Sequence, residues 1–571
     1  MPAKRRRSSG ASHAIAVLPA TKKIRTTHPL DRLSDLSDEI LLRILHNLPI
    51  STLLQCQRLS HKFYTLASDS QLWKSLYYSR FVLPRALRIP GIRSTSAQEE
   101  AFHFASRRSK WLDEDRTLVN RADGKKTNWK GQYKLRHNWA RGACEVQEIR
   151  LENGPSTPAM LVKLADGVVV TADRREGLRV WELKGRRLLT KCSLEEEGVP
   201  TCLAIDEGKD ASGQLGVAIG FLDGGWGIWR MDSGDSSLSR QHRHPKSSNG
   251  RLVALAFSNP YVLTITDGQL LSLYTFDKKP QPIPVEVQTT EATLQQPSIG
   301  PPEPESKEED GGNRPQLLAS LTSHTTWPPL SLSLRITGST LIASIAYTLP
   351  TYLSGYTIGL QELHLCLTTH NLLHSRLTSA QPQGFHSILA SPTPQQSDGQ
   401  SHSKPTSLAY SHPYILATNM DNTLTLYLCT STAAALTISP GTRLWGHTSS
   451  VSSAEITARG KAVSVSTRGN ELRVWELEGS NRRKRTVLEK SVQIRTEGTP
   501  SRHPRHSDVE TGRDHDPEDV DCASEDMSDS GGALLGDRKK WVGFDDEVVI
   551  VLKESGTAGA RSQALMIYDF T

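Results

Sequence analysis

The chain has 571 residues, 36% of them hydrophobic, and a formal net charge of +7, a size that suits two or three folded domains separated by polar segments. No apolar run reaches the roughly 18 to 20 residues of a membrane span, and no apolar h-region follows the N-terminus. The seven cysteines are scattered without a C-x-x-C pair or a histidine cluster, so the pattern predicts no metal site and a reducing location in the cytosol or nucleus.

Residues 1–30 form a basic segment rich in Ser and Thr, which we expect to be disordered. Residues 1–28 contain the whole excess of positive charge and no acidic residue, so residues 29–571 are formally neutral. That balance argues against a basic nucleic-acid surface on the folded part. The clusters KRRR and KKIR are typical of a nuclear-import signal, with a merely solubilising tail as the alternative.

Residues 31–82 have the pattern of several short amphipathic helices. Ser37 is a predicted N-cap and Pro49 a predicted stop for the first helix, whose apolar residues recur at i, i+1, i+4, i+5 and i+8. Three later serines are predicted caps: Ser51, Ser60 and Ser70. A unit of about 50 residues cannot bury so many apolar side chains alone, so we expect a partner or neighbouring domain to cover some of them.

The order L-x-x-L-x-x-E-I-L-x-x-I-L-x-x-L-P, then L-L-x-x-x-R-L-S-x-x-F, then L-W, resembles the F-box. The resemblance implies docking onto the Skp-type adaptor of an SCF ubiquitin ligase, and through it onto cullin and RING subunits. The residues implied in adaptor binding are Leu33, Leu36, Ile40, Leu41, Ile44, Leu45, Leu48, Leu53, Leu54 and Trp73. The chain departs from the family at Ser37, where proline is usual, and at Leu59, where valine is usual. An ordinary helical cap on the downstream domain is the alternative.

Residues 83–141 are a predicted helical connector, with a helix expected over 96–119. Residues 129–142, W-K-G-Q-Y-K-L-R-H-N-W-A-R-G, resemble the segment before the first blade in F-box proteins with WD repeats. From Ala159 onward short alternating strands repeat, and the units end at Trp181, Trp229 and Tyr274, which are 48 and 45 residues apart. This period is typical of a WD-repeat propeller. Further units end near Leu365, Tyr427, Trp475 and Tyr568.

The predicted fold is therefore a small all-α F-box and helical connector, followed over 142–571 by an all-β, seven-bladed WD-repeat-like propeller. Three Pro-, Ser- or charge-rich stretches are predicted disordered insertions: 277–315, between the third and fourth blades, 380–404 and 496–538. If the last strand, A-L-M-I-Y-D-F, is the third of its blade, no downstream residue can provide the outer strand. Residues 142–151 are therefore predicted to close the propeller by pairing antiparallel with 564–570.

No P-loop, nucleophile elbow, H-E-x-x-H or dinucleotide motif occurs, so we expect no catalytic residue and no cofactor.

The aspartate that the WD-repeat family usually has after the second strand is replaced by Arg175 and Gly469, so the buried Asp–His bond is expected to be missing from most blades. In phosphodegron receptors of this family, arginines lie seven residues before the blade tryptophan. The matching positions here are Arg174 and Arg468, whereas Ser452 occupies a further arginine position.

These features predict the substrate-recognition subunit of a cullin-RING ubiquitin ligase, acting in the nucleus, the cytoplasm or both. Its partners would be the Skp-type adaptor and an unidentified target protein, for which phosphorylated proteins are candidates. We expect no membrane partner, and nucleic acid is disfavoured by the neutral folded part. The alternative is a nuclear scaffold that binds chromatin or RNA through the basic tail and uses the F-box for assembly only.

Overall fold

A computed structural model describes residues 33, 35–83, 128–151, 158–165, 167–206, 214–231, 237–277, 314–323, 326–351, 355–380, 404–432, 434–467, 471–477, 491–496, 535–557 and 560–571. The chain divides into two compact units, of which the first contains residues up to Leu83 together with Thr127–Lys130 and the second contains the rest. The basic tail 1–30 and the helix predicted over 96–119 lie outside the described residues.

The first unit is a small helical bundle. Its helices are α1 (Asp38–His46), α2 (Ile50–Cys56), α3 (His61–Ala67) and α4 (Ser70–Tyr77), and a π-helical turn follows at Tyr78–Val82. Its core consists of Leu41, Leu45, Leu53, Ala67, Leu72, Trp73 and Tyr77.

Two of these helices, α3 and α4, begin at a residue whose side chain forms an N-cap hydrogen bond. Ser60 accepts a hydrogen bond from Phe63 N at 3.3 Å, as its position predicts. At α4 the cap is Asp69 and not the predicted Ser70, because the Asp69 carboxylate accepts from the backbone N–H groups of both Gln71 and Leu72. The prediction at Ser51 is also wrong, since this residue lies inside α2, where Pro49 occupies the N-cap position.

A helix, α5 (Trp129–Arg141), leads into the first strand, β1 (Ala143–Leu151). Gly142 separates them with φ = 68°, the left-handed conformation that ends many helices and that favours glycine. A Cβ atom at this position would collide with the backbone carbonyl of Gln493. Within the described residues no helix is both long enough and apolar enough to cross a membrane.

The described part of the second unit contains thirty strands in seven sheets, which are the seven blades that the repeat predicts. Blade one is β2 (Leu161–Ala165), β3 (Val168–Asp173), β4 (Gly177–Glu182) and β5 (Arg187–Cys192). Blade two is β6 (Pro200–Ile205), β7 (Leu215–Phe221), β8 (Trp226–Met231) and β9 (Leu238–His244). Blade three is β10 (Leu252–Ser258), β11 (Tyr261–Thr266), β12 (Leu270–Thr275) and β13 (Gln316–Thr322).

The remaining blades follow in chain order. Blade four is β14 (Trp327–Thr337), β15 (Thr340–Thr351), β16 (Gly355–Cys366) and β17 (Leu372–Ser379). Blade five is β18 (Ser407–Ser411), β19 (Tyr414–Thr418), β20 (Leu424–Ser431), β21 (Leu436–Ile438) and β22 (Thr442–Leu444). Blade six is β23 (Val451–Ile456), β24 (Lys461–Ser466), β25 (Leu472–Glu476) and β26 (Ser491–Gln493). The short strand β27 (Arg495–Thr496) follows and pairs in parallel with β1 in the sheet of blade seven. Blade seven is β28 (Leu535–Phe544), β29 (Val548–Thr557) and β30 (Ala560–Asp569), with β1 as its fourth strand.

The first strands of successive blades contact one another in a complete circle, from β2 through β6, β10, β14, β18 and β23 to β28 and back to β2. Apolar side chains fill each of the seven junctions between neighbouring blades. Each blade has two apolar faces. A blade can bury both faces only by packing against a neighbouring blade on each side, so the blades form a closed ring.

Strand β1 closes the ring. It pairs antiparallel with β30 in a register that runs from Glu145 opposite Asp569 to Leu151 opposite Gln563. This is the pairing that the sequence predicts. The N-terminal strand therefore covers the edge that β30 would otherwise expose.

Two of the predicted insertions have different boundaries in the structure. The stretch 277–315 falls between β12 and β13, inside blade three and not between blades three and four. The stretch 496–538 overlaps β27 at its start and β28 at its end, because both segments pair with neighbouring strands. The interiors of all three insertions, 278–313, 381–403 and 497–534, lie outside the described residues.

Candidate adaptor-binding and target-binding surfaces

The helical bundle divides the predicted adaptor residues into two groups. Four are core residues with exposed fractions of 2% or less: Leu41, Leu45, Leu53 and Trp73. Four are exposed by 40% or more: Leu33, Ile40, Ile44 and Leu54. The remaining two, Leu36 and Leu48, are half-buried.

The four core residues lie inside the bundle and are not exposed at its surface. The indole N–H of Trp73 donates to the carbonyl oxygen of Ala67 at 2.8 Å, inside the bundle. A side chain held in this way is not available to a partner without opening the core. These four side chains are core residues of the bundle, and the exposed group is accessible at its surface. The assignment of either group to adaptor binding stays a prediction.

The exposed apolar surface of the bundle also includes side chains that the sequence-based list omits, among them Leu59 and Tyr64. Leu59 and Tyr64 are exposed by 70% and 53%. We call the set Leu33, Ile40, Ile44, Leu54, Leu59 and Tyr64 the open apolar set. The apolar pattern of the sequence includes Leu59, but the pattern does not show which apolar residues the bundle buries.

The segment before α1 is tied to α3. Lys62 Nζ donates to the carbonyl oxygen of Leu36 at 3.2 Å and lies 3.4 Å from Asp38 Oδ1. The same unit includes the start of α5, where the Trp129 ring packs 5.5 Å from that of Tyr77 and Lys130 Nζ donates to Gln57 Oε1 at 2.7 Å. These contacts attach the segment before α1 and the start of α5 to the helices of the bundle.

One end of the propeller carries the turns between second and third strands and the connections that lead into each first strand. Both kinds of loop lie at the same end because a four-stranded meander returns there after every second strand. We call this end the entry face, and its described loops include 174–176, 222–225, 419–423 and 445–450.

Arg174 lies exposed at the tip of the turn in blade one. The turn is organised by the buried Asp173, whose carboxylate accepts from Arg175 N at 2.8 Å and Glu176 N at 2.7 Å and forms an ion pair with Arg179 Nη2 at 2.7 Å. Asp173 therefore orders the turn in which Arg175 occupies the usual aspartate position. The second predicted target residue, Arg468, lies outside the described residues.

Blade six contains a buried polar network around His447. Its Nε2 is 2.6 Å from Ser464 Oγ, which also accepts from the indole N–H of Trp475 at 2.8 Å. Nδ1 lies 3.4 Å from Glu471 Oε2. Glu471 therefore provides, four residues before the tryptophan, the acidic partner that the missing aspartate at 469 does not.

Burial, together with the positive charge of Arg473, lowers the pKa of His447 to about 4. The imidazole is therefore neutral at physiological pH, and its contact with Ser464 links the loop before β23 to β24 without a buried cation. Burial opposes ionisation of Glu471, but the N–H of Thr448 and the guanidinium of Arg473 more than offset it, and the pKa of Glu471 is lowered.

Large exposed apolar side chains on the entry face were not predicted from sequence, and Leu222, exposed by 52%, is one of them. Met420 and Trp445 are exposed by 66% and 65%. Their loops are joined by a hydrogen bond from Asn422 Nδ2 to the carbonyl oxygen of Thr448 at 3.2 Å. Exposed tryptophan is typical of protein-binding surfaces. Trp445 comes directly before a Gly-His pair, and the WD-repeat pattern marks that pair but not the tryptophan.

Comparison with known families accounts for both units. The model described as "F-box protein pof12 beta-propeller" matches residues 144–571, which is more than half of the chain, and an F-box-like model matches residues 33–79. The chain belongs to the pof12 F-box protein family. A search of curated proteins finds no match.

Solved structures with a similar chain path include BamB from Moraxella catarrhalis, with 10% identity and a TM-score of 0.35 over 74% of this chain and 99% of that one. The WD40 beta propeller domain of Doa1 aligns with 11% identity and a TM-score of 0.32 over 74% of this chain and 96% of that domain. F-box modules generally bind Skp-type adaptors, and F-box propeller proteins are typically non-catalytic adaptors.

Proposed function

We propose that this F-box protein is the substrate-recognition subunit of an SCF-type cullin-RING ubiquitin ligase. The observation that carries the proposal is the open apolar set of the F-box, which includes Ile40, Ile44 and Leu54 beside a core that is already filled. Leaving apolar side chains at this density in water is unfavourable. A partner surface that covers them removes their apolar area from water, which favours binding. A Skp-type adaptor is the partner that the F-box fold supports.

In this role the protein performs no covalent chemistry. It holds a target near the ubiquitin-loaded subunits of the ligase, so that a bimolecular transfer becomes effectively intramolecular. The propeller supports the target-binding half of the task because its rigid blades present many loops at one end.

We propose the entry face as the target-binding surface, with Arg174 and Arg468 as candidate contacts. Arg174 is exposed, and Asp173 fixes the turn beneath it. A guanidinium group in a fixed turn is suited to bidentate bonds with phosphate or carboxylate groups. Phosphorylated or acidic target segments are therefore the class that this surface favours.

Affinity purification from cells tests the ligase assignment. Wild-type protein should recover adaptor and cullin in stoichiometric amounts, and Ile44→Asp should abolish that recovery because it places an unpaired charge in an apolar interface. Leu188→Asp is the matched control, since Leu188 lies on blade one with an exposed fraction of 41% against 40% for Ile44. Equal recovery of adaptor by the two variants would refute the assignment.

A second candidate function is a nuclear scaffold that binds chromatin or RNA. The observation that favours it is the basic character of residues 1–28, which have no acidic residue. Nucleic acid that co-purifies in a salt-sensitive manner and is lost with residues 1–28 would support it. Nuclear or cytoplasmic location is likewise a proposal, and a fluorescent fusion with and without these residues tests it.

A further inference from the structure

A buried cluster of polar side chains lies where blade four packs against blade five. Glu362 is on β16, Cys429 is on β20, and His412 is in the turn between β18 and β19. A carboxylate oxygen, an imidazole nitrogen and the sulfur of these residues all lie within 4.8 Å of one another. Because the residues come from two blades, the cluster forms only when the blades pack.

Glu362 is fully buried, with an exposed fraction of 0%. Its Oε1 accepts from Arg335 Nη2 at 2.6 Å, and its Oε2 accepts from Ser431 Oγ at 2.7 Å and lies 3.1 Å from His364 Nε2. A buried carboxylate is costly unless it is paired with a cation and hydrogen-bonded. Each carboxylate oxygen also has more than one acceptor position, so these contacts hold Glu362 in place without using all of its capacity.

The other two residues lie beside the Tyr410 hydroxyl, which is 3.5 Å from His412 Nδ1. The Cys429 thiol is buried, and it must lose its proton to bind a metal ion. A neutral imidazole and a displaceable thiol are ligands for borderline metal ions.

We propose that Glu362, His412 and Cys429 form a binding site for a divalent transition-metal ion of the zinc class. A set of one sulfur, one nitrogen and one carboxylate oxygen suits Zn²⁺ or Co²⁺, and it does not suit Ca²⁺ or Mg²⁺, which require oxygen ligands. Binding forms bonds to the three ligand atoms and releases the Cys429 proton to solvent. The ion would join blades four and five, independently of any role in ubiquitin transfer.

Arg335 determines how tightly this site can bind. Its guanidinium already neutralises Glu362, so it repels an incoming cation and keeps the affinity below that of a site without this charge. Arg335→Gln removes the repulsion and leaves the Glu362 carboxylate with its contacts to Ser431 and His364. The proposal therefore predicts tighter metal binding in this variant, an effect that a purely structural role for the cluster would not produce.

Cobalt titration of the full-length protein tests the site. Cys366 is replaced by serine in every sample because hydrogen bonds with Thr368 and Thr369 lower its pKa to about 6, which makes its thiolate a competing ligand. One equivalent of Co²⁺ should produce a thiolate-to-cobalt charge-transfer band, and Zn²⁺ should remove it. His412→Ala should weaken binding by at least about tenfold.

Cys429→Ser should abolish the band, whereas Cys202→Ser should retain it. Cys202 is a matched control in blade two, since its thiol is buried as that of Cys429 is. Absence of the band in the parent protein, or equal bands in the two serine variants, would overturn the proposal. If Cys429→Ser does not fold, Arg335→Gln decides the question: tighter binding supports the site, and unchanged affinity contradicts it.

Discussion

The indole ring of Trp139 stacks on the phenyl ring of Phe570, with centroids 3.8 Å apart and ring planes 9° apart. One residue lies in the helix before the closing strand and the other follows the last strand of the chain. Asn138 Nδ2 also donates to the carbonyl oxygen of Phe570, and Trp139 Nε1 donates to that of Asp546, both at 2.8 Å. The two ends of the propeller are therefore joined by side chains as well as by the β1–β30 ladder.

Replacing Phe570 by alanine should destabilise the propeller by about 3–5 kcal/mol, because the ring is fully buried and the cavity cannot collapse against a flat indole. Urea unfolding followed by tryptophan fluorescence measures the change. Trp445→Ala is the control, since this exposed side chain should alter the free energy of unfolding by less than about 0.5 kcal/mol. Equal effects of the two substitutions would contradict the role assigned to the stack.

The closing ladder gives a second prediction. Val146 lies opposite Tyr568 in the β1–β30 register, and proline there removes a backbone N–H and constrains φ in an interior position. Val146→Pro should lower the stability of the whole propeller in one cooperative transition. Val146→Thr keeps the N–H and the branched side chain and should be near wild type. A separate early transition confined to one blade would show that closure is local.

The ion pair in the turn of blade one can be compared with an exposed one. Asp173→Ala leaves the buried Arg179 guanidinium without its partner and should cost about 3–5 kcal/mol. Glu182→Ala removes the partner of Arg187, which is 70% exposed, and should cost less than about 1 kcal/mol. Chemical denaturation measures the free energy of unfolding of both variants. A larger decrease for Glu182→Ala than for Asp173→Ala would contradict the role assigned to the buried ion pair.

The lowered pKa of His447 predicts a pH dependence of stability. The folded protein binds the proton only near pH 4, whereas the unfolded chain binds it near pH 6.5. The unfolded state is therefore favoured as pH falls from about 6.5 to 4, and this residue should account for up to about 3 kcal/mol of lost stability.

Urea unfolding at several values between pH 7.5 and 4.5 measures the effect. The variant His447→Gln should be less stable overall but should have a flatter pH profile than the wild type. His412, whose pKa is also lowered to about 4, contributes equally to both proteins and cancels in the comparison. Parallel profiles would contradict the assignment to His447.

Neighbouring leucines in the F-box separate folding from binding. Leu53 is fully buried and Leu54 is 43% exposed. Leu53→Ala should cost about 2–5 kcal/mol of F-box stability, whereas Leu54→Ala should leave stability within about 0.5 kcal/mol of wild type and weaken adaptor binding. Thermal unfolding and adaptor titration together give the two readouts. Loss of stability without loss of affinity in Leu54→Ala would place that side chain in the core.

The sequence by itself determined the features that depend on local periodicity. Strand units recurring at 48 and 45 residues predicted the blades, and the cap, stop and apolar stripe between Ser37 and Pro49 predicted α1. The closing strand was also predictable, because a propeller with an unpaired edge would leave backbone groups unsatisfied and only residues 142–151 were free to pair.

Only the tertiary structure decided which members of an apolar stripe are buried. Ile44 and Leu45 are adjacent and equally apolar, but the packing of α1 on its neighbours buries Leu45 and leaves Ile44 exposed. Likewise, no spacing in the chain relates Glu362 to His412 and Cys429, since their contact depends on how two blades pack. Local pattern specifies the elements, whereas burial and long-range side-chain contacts depend on distances between segments far apart in the chain, which periodicity does not encode.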